Sequence, residues 1–259
     1  MRFLFKIIKI VALLVVLLVA SLGVLLFLTF SGAKPIEDGQ RFGGVEVVKD
    51  GVVTAYIVDI DDHSVALVDA GNDSAAKAIL LALARRNLSL SAVKAVLLTH
   101  GDRDHTGGAR MFPQATVMAL EPDVALAEGR AVKPLFKLFA SPHPSGLKVG
   151  RVLHDGETMA LGSLAVRVWA VPGHTPGSAA YLIRGVLFLG DSADATKEGK
   201  LIAGKRLFTE SPAQDRASLH ELAQRLHPWA GDVKAIAFGH SGVLTRGLAP
   251  LNEFAANDK

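Results

Sequence analysis

The sequence predicts an α/β sandwich, sheet against sheet with helices outside, behind one N-terminal membrane-spanning helix. Two observations predict it. Ile10 to Phe30 are 21 consecutive uncharged residues, mostly Val, Leu and Ile. The rest of the chain falls into two β-rich halves, each with its own helices. From pattern alone, a single α/β sheet is the alternative.

A helix rises 1.5 Å per residue, so about 20 such residues span the ~30 Å hydrocarbon core. A secretory h-region is usually only about 7–15 residues. The run therefore reads as an uncleaved anchor over residues 10–30, although Ser31-Gly32-Ala33 offers small residues at a cleavage position. Arg2, Lys6 and Lys9 precede it, whereas Lys34 and Arg41 after it are mixed with Glu37 and Asp38. The positive-inside rule then puts residues 1–9 in the cytoplasm and the folded domain outside it. Residues 31–41 read as a linker and 42–259 as one domain.

Charge and composition exclude several function classes. Residues 1–33 hold three of the 28 Lys and Arg and none of the 25 Asp and Glu, so the remainder balances at 25 of each. No basic face for nucleic acid is indicated. A local run at Lys197, Lys200, Lys205 and Arg206 reads as a solvated loop. The chain has no Cys, which excludes a disulfide framework, a thiolate metal site, a thiol enzyme and a lipidated-cysteine anchor. Lack of Cys also fits an oxidising compartment.

The domain opens with short β runs at Val45–Val48, Val52–Ile60 and Ser64–Asp69, with turns at Lys49-Asp50-Gly51 and Asp61-Asp62-His63. Asn72 or Asp73 then caps a helix through about Arg86, with Ala76, Ile79, Leu80, Leu83 and Ala84 at helical spacing. A buried strand at Val93–Leu98 is followed by a short helix near Gly107–Met111 and a strand at Ala115–Leu120. Residues 121–148 are less regular, with helical spacing at Val132, Leu135, Phe136 and Phe139. The second half has β runs at Arg151–His154, Leu164–Val171, Ala180–Ile183 and Val186–Leu189. A helix follows over Pro212–Leu226, with Pro in its first turn, then a buried strand at Val233–Phe238 and a closing helix over 248–256.

Four loops after these strands carry potential metal ligands. The first is Thr99-His100-Gly101-Asp102-Arg103-Asp104-His105-Thr106-Gly107-Gly108. The second is Pro172-Gly173-His174-Thr175-Pro176-Gly177-Ser178. Gly190-Asp191-Ser192 and Gly239-His240-Ser241-Gly242 are the others. Loops at strand ends place side chains on a rigid scaffold, and imidazole with carboxylate suits Zn, Fe or Mn. A lone His or Asp after a strand is usually a turn residue. His100, Asp104 and His105 together do not read as solvated surface, because they interrupt an apolar strand and a glycine turn.

His100-Gly-Asp102-Arg-Asp104-His105, followed by His174, Asp191 and His240, resembles the metallo-β-lactamase superfamily pattern H-x-H-x-D-H, His, Asp, His. Val68-Asp69-Ala70-Gly71 also looks like that family's strand-end V-D-x-G. The resemblance covers about residues 40–245. It implies a four-layer αββα sandwich with two divalent metal ions between the sheets. It places His100, Asp102 and His174 on the first ion and Asp104, His105 and His240 on the second, with Asp191 bridging. Asp69 looks like the carboxylate that steadies the ligand loop, a simple turn carboxylate being the other reading.

Asp102 departs from the pattern, since His is the family's commonest residue there. The extra carboxylate favours harder metals, so Fe or Mn stands beside the family's usual Zn. The activity implied is a metal-dependent hydrolase in which metal-activated hydroxide cleaves an ester, thioester, lactone or amide. Asp104 is the catalytic candidate, orienting the nucleophile or accepting its proton. The string Pro172–Ser178 is similar to the glyoxalase II-like branch, which cleaves thioesters. Ser192 and Ser241 take loop roles. The partners implied are a small-molecule substrate and a bilayer through residues 10–30, without nucleic acid. Two other readings stay open: an iron-dependent redox enzyme of the same fold, persulfide dioxygenase-like, and a non-catalytic membrane-associated binding protein.

Residues 131–139 read either as ordinary core packing, the favoured option, or as a lid or bilayer contact through Leu135, Phe136 and Phe139 beside Lys133 and Lys137. His143 reads as a surface turn. His63, His154, His220 and His227 match no ligand position.

Overall fold

The computed structural model describes residues 2–258, and the chain divides into two units, Met1–Ala33 and Lys34–Lys259. The first unit is one helix, α1 (Arg2–Ser31). Its stretch Phe5–Thr29 is long and apolar enough to cross a membrane, a test that a signal sequence also passes. Ser21 and Thr29 do not interrupt it, because their hydroxyls donate to the Leu17 and Leu25 carbonyls at 2.7 and 2.8 Å. Both hydroxyl protons therefore have an acceptor within the helix.

The second unit starts from a seven-stranded sheet. Its strands lie in chain order: β1 (Arg41–Phe42), β2 (Val45–Asp50), β3 (Val53–Asp59), β4 (Val65–Val68), β5 (Val93–Leu97), β6 (Thr116–Leu120) and β7 (Arg151–Leu153). The first four pair antiparallel, and β4 through β7 pair parallel. Parallel pairing needs crossovers. These carry α2 (Lys77–Arg85), α3 (Arg103–Thr106) and α4 (Val124–Ala127).

The second sheet contains β8 (Thr158–Leu161), β9 (Leu164–Ala170), β10 (Ala179–Ile183), β11 (Val186–Phe188) and, further along the chain, β14 (Ala235–Ala237), in the order β14-β11-β10-β9-β8. Between β11 and β14 come a two-stranded ribbon, β12 (Ala193–Ala195) with β13 (Leu201–Ala203), and α5 (Pro212–Arg225). The chain ends in α6 (Ala249–Asn257).

Alternation along the strands sorts the apolar residues into three layers. Val45, Val47, Tyr56, Val58, Val68 and Leu97 of the first sheet share one core with Val166, Val168, Tyr181, Ile183 and Phe188 of the second, so the sheets face each other. On the outer face of the first sheet, Val48, Ile57, Leu67 and Val96 pack against Ile79, Ala82 and Leu83 of α2. On the outer face of the second, Leu182, Leu187 and Ile236 pack against Leu219 and Leu222 of α5 and Leu251 and Phe254 of α6. The result is the four-layer αββα sandwich. Within residues 31–41, Lys34 pairs its backbone with Ala195 and Gly242 at 2.8 and 2.9 Å, and Ile36 packs on the inter-sheet core.

Several local expectations are corrected. The first-half helix begins at Lys77 rather than at an Asn72 or Asp73 cap. The Asp50 carboxylate takes the Asn72 and Asp73 N–H groups, Asp73 turns back onto the Ala75 N–H, and Ala76 adopts φ 49°. The short helix expected near 107–111 forms earlier, at Arg103–Thr106, with a separate 3-10 turn at Ala109–Met111. Gly107 and Gly108 press on the backbone of Gly71, Asn72 and Ala70, where a Cβ would come within 2.6 Å. Lys205 is not solvated: it is ion-paired with buried Asp194, and β13 runs through the supposed loop. Core packing does not hold for Leu135 and Phe139, which are exposed, as is Leu138. The Phe136 side chain lies outside the described residues.

Candidate metal centre

The four ligand-bearing loops converge at one edge of the sandwich. Because β4 and β5 run parallel, Asp69 and Thr99 emerge side by side. Asp69 adopts φ 58° at the end of β4 and is buried. Its carboxylate accepts from the Thr99 N–H at 2.8 Å, the Thr99 hydroxyl at 2.7 Å and His105 Nδ1 at 2.9 Å. With that proton on Nδ1, the His105 lone pair sits on Nε2.

The same logic orients the other imidazoles. The Thr99 hydroxyl, its proton committed to Asp69, accepts from His100 Nδ1 at 3.1 Å. His240 Nδ1 donates to the Val52 carbonyl at 2.9 Å. His174 Nδ1 lies 3.4 Å from the Thr209 hydroxyl. In each ring, the backbone or hydroxyl partner on Nδ1 leaves Nε2 as the ligand atom facing the centre.

All seven expected ligands are brought together. His100, His174 and Asp191 each offer one ligand atom within 4.8 Å of the others, and so do Asp104, His105 and His240. Asp191 lies between the two trios. Its Oδ1 is 3.3 Å from His105 Nε2, and its Oδ2 is 3.1 Å from His240 Nε2 and 3.8 Å from His174 Nε2. Asp104 Oδ2 is 3.3 Å from His240 Nε2. Asp102 Oδ2 lies 3.1 Å from His174 Nε2 and 3.5 Å from His100 Nε2. Gly239 makes room for this convergence, since a Cβ there would fall 2.0 Å from Asp191 Oδ1 and 2.7 Å from His105 Cε1.

Three buried candidate ligand atoms, His100 Nε2, His105 Nε2 and Asp191 Oδ1, have no hydrogen-bond partner among the described residues. Orphaned buried acceptors that converge are costly unless something positive meets them. A mixed imidazole and carboxylate donor set suits a divalent cation such as zinc, iron or manganese. The residues of the second trio, with Asp191, fit such an ion.

The carboxylates that would face a cation also favour a proton on the rings, for which a metal would have to compete. Burial alone would lower His105 and His240, but Asp191 outweighs it, joined by Asp69 at His105 and by Asp104 at His240. His105 is pushed well above the ordinary histidine range and His240 up to about 10. Burial would raise Asp104 and Asp191, yet the facing imidazoles hold both below the ordinary carboxylate range. His174 behaves oppositely: burial takes it down to about 4 despite the Asp102 carboxylate.

Two important residues were not found from sequence. Buried Asp123 ties the first ligand loop to the second, accepting from the Gly101 N–H at 2.6 Å, the Thr175 hydroxyl at 2.8 Å and the Gly177 N–H at 2.7 Å. Lys133, only 4% exposed, reaches into the centre. Its Nζ lies 2.8 Å from Asp102 Oδ2, 3.2 Å from His174 Nε2 and 2.9 Å from the Phe208 carbonyl. The one signal for Lys133 was the uncompensated carboxylate at position 102. Ser192 and Ser241 keep loop roles, bonded to the Val171 carbonyl and the Ala195 N–H. His63, His143, His154 and His227 are exposed, and His220 meets Asp258 at 3.4 Å.

Comparison with known proteins adds the family context. The sequence model of the Metallo-beta-lactamase superfamily matches residues 48–240. A hydroxyacylglutathione hydrolase of Methylobacillus flagellatus is 34% identical over 169 residues, 65% of this chain and 57% of that protein. One of Aeromonas hydrophila is 32% identical over 172 residues, 65% of this chain and 55% of that protein. The chain thus spans little more than half the length of these curated relatives. Among solved structures, the SMB-1 metallo-beta-lactamase bound to 2-mercaptoethanesulfonate superposes with a TM-score of 0.61 at 26% identity, covering 80% of this chain and 81% of that one. A B3 metallo-beta-lactamase with an active-site glutamic acid gives 0.64 at 19% identity, covering 90% of each.

Proposed function

Since this chain belongs to the metallo-beta-lactamase superfamily, we propose that it is a membrane-anchored, metal-dependent hydrolase of a small acyl substrate, with a thioester the leading class. The observation that carries this reading is the convergence of the orphaned atoms His105 Nε2 and Asp191 Oδ1 beside Asp104 and His240. Asp104, His105, Asp191 and His240 are the residues to hold a metal, with His100, Asp102 and His174 as the companion set. A divalent cation bound there supplies a Lewis acid for the acyl oxygen and brings the pKa of water toward neutrality.

The chain's own residues supply the rest. Asp104 is the most solvent-accessible carboxylate of the cluster, with its side chain 37% exposed. The facing histidines keep it ionised, so it can orient an incoming water and accept its proton. Attack at the acyl carbon breaks the carbon–sulfur bond of a thioester, giving a carboxylate and a thiol. A thiolate leaving group, with an ordinary pKa of about 8.5, makes little demand on a proton donor. Lys133 has its three donors already engaged by Asp102, His174 and Phe208. A thioester therefore suits this site better than an amide, whose amine must be protonated to leave. The names of the relatives point the same way.

The test is turnover of an S-hydroxyacylglutathione, a lactone and a β-lactam by the metal-supplemented full chain in detergent. Thioester cleavage is expected, and failure on all three would remove the hydrolase reading. Oxygen consumption with bound iron would replace it with redox chemistry. The anchor reading rests on the apolar stretch within Phe5–Thr29 and on Arg2, Lys6 and Lys9, which precede the uncharged run 10–30 and favour a cytoplasmic N-terminus. The cysteine-free chain permits a direct check. Asp62→Cys, at an exposed turn, should react with an impermeant maleimide on intact cells. Labelling only after lysis would reverse the topology.

A further inference from the structure

Lys133 stands where it competes for His174 of the first trio and for Asp102 beside it. We propose that its ammonium is the resident cation of the half-site formed by His100, Asp102 and His174, so that the chain takes one divalent ion, held by Asp104, His105, Asp191 and His240. This rests on the metal-dependent reading above and replaces the expectation of two ions.

An ammonium has three protons and no acceptor. Those of Lys133 meet three acceptors at 2.8, 2.9 and 3.2 Å: Asp102 Oδ2, the Phe208 carbonyl and His174 Nε2. A buried lysine is tolerated only when its charge is paired and its donors are satisfied, and here both conditions hold. The His174 contact is the decisive one. A neutral imidazole has a single in-plane lone pair on its unprotonated nitrogen, so Nε2 either accepts from Lys133 or ligates a metal. A divalent ion sharing Asp102 and His174 with the ammonium would also bring two like charges together in a water-poor setting, where screening is weak.

The placement is built into the backbone. Lys133 precedes Pro134, and the residue before a proline is steered to extended geometry; Lys133 has φ −56° and ψ 145°. The preceding residues are anchored, because the Arg130 and Ala131 N–H groups both donate to the Ala125 carbonyl, at 2.8 and 3.0 Å. Asp102 now has a reason to differ from the superfamily's usual histidine. A carboxylate neutralises the buried ammonium, which a neutral imidazole cannot do. The other trio has its facing atoms on one another and on Asp191.

The experiment is metal counting on the full chain in detergent, stripped with chelator, titrated with Co(II) or Zn(II), and read by bound metal per chain and by cobalt ligand-field absorption. The proposal expects one tight equivalent in the natural chain. That equivalent is lost in His240→Ala and kept in His100→Ala. Lys133→Met, which keeps the length and removes the charge, is expected to bind two. Two tight equivalents in the natural chain would overturn the proposal while leaving the hydrolase reading intact. So would a single equivalent in Lys133→Met that melts cooperatively. Binding of no metal by the natural chain would overturn the metal-dependent reading itself, and this proposal with it.

Discussion

Replacing Asp69 with Asn tests whether hydrogen bonds behind the ligands set the metal affinity. Asp69 is 1% exposed and accepts three hydrogen bonds. The Thr99 N–H requires an acceptor at Oδ1, so in the variant the amide oxygen takes that place. The NH2 then occupies the position of Oδ2, facing Thr99 Oγ1 and His105 Nδ1. It donates to Nδ1, which shifts the His105 proton to Nε2 and removes the lone pair that faces Asp191. Loss of such a supporting partner typically costs roughly 10–100-fold in metal affinity, or about 1.4–2.7 kcal/mol. The side chain keeps its size and two of its contacts, so the fold should persist. The assay is competition for the metal against a chromophoric chelator, run beside thermal melting of the same preparation. Unchanged affinity in a folded Asp69→Asn protein would refute the reasoning, because His105 would then ligate in either tautomer or not at all.

Two further predictions follow from the same electrostatics. His105 and His240 are held protonated by the carboxylates around them, His240 up to about 10, whereas a metal needs both rings neutral. Metal binding at neutral pH should therefore release protons from these rings, and the affinity should climb as pH rises toward the His240 value of about 10. Calorimetry in buffers of different ionisation enthalpy measures this, and zero proton release contradicts it. Separately, burial raises Asp215 to about 7, against a lowering by the Gly204 N–H. A carboxyl raised above its unfolded value contributes stability at low pH that is lost as pH rises toward about 7. At about 1.4 kcal/mol per pKa unit, the ionised group costs up to about 4 kcal/mol at pH 8. Asp215→Asn should melt higher than the natural chain at pH 8, with the gap closing toward pH 4. A gap independent of pH would remove the claim.

The seven candidate ligands stand out in the sequence because their chemistry is incompatible with the strand ends they interrupt. His100, Asp104 and His105 break an apolar run, and His174, Asp191 and His240 follow strands of Val, Leu and Phe. The sheets were legible for the same reason, through runs such as Val53–Asp59 and Leu164–Ala170. What escaped depended on contacts distant in the chain. Lys133 sits in Ala-Val-Lys-Pro-Leu-Phe-Lys, where a lysine beside apolar residues reads as an amphipathic surface. Its burial is set by Asp102 and Phe208, 31 and 75 residues away. Asp123 follows Pro122 in what looks like an ordinary turn, and its partners Gly101 and Gly177 lie in different loops. The ribbon of Ala193–Ala195 with Leu201–Ala203 has only three residues per strand, too few for a period to show. The late start of the Lys77 helix was hidden because Asp50, in a neighbouring hairpin, takes the Asn72 and Asp73 N–H groups and holds both residues in a turn.

The most direct test of the central claim is the initial rate of thioester hydrolysis by the chelator-stripped full chain as divalent metal is added back. The rate is expected to fall to background on stripping, to return with added ion, and not to return in His240→Ala. A rate that survives stripping, or that His240→Ala leaves unchanged, would contradict a metal-dependent hydrolase built on Asp104, His105, Asp191 and His240.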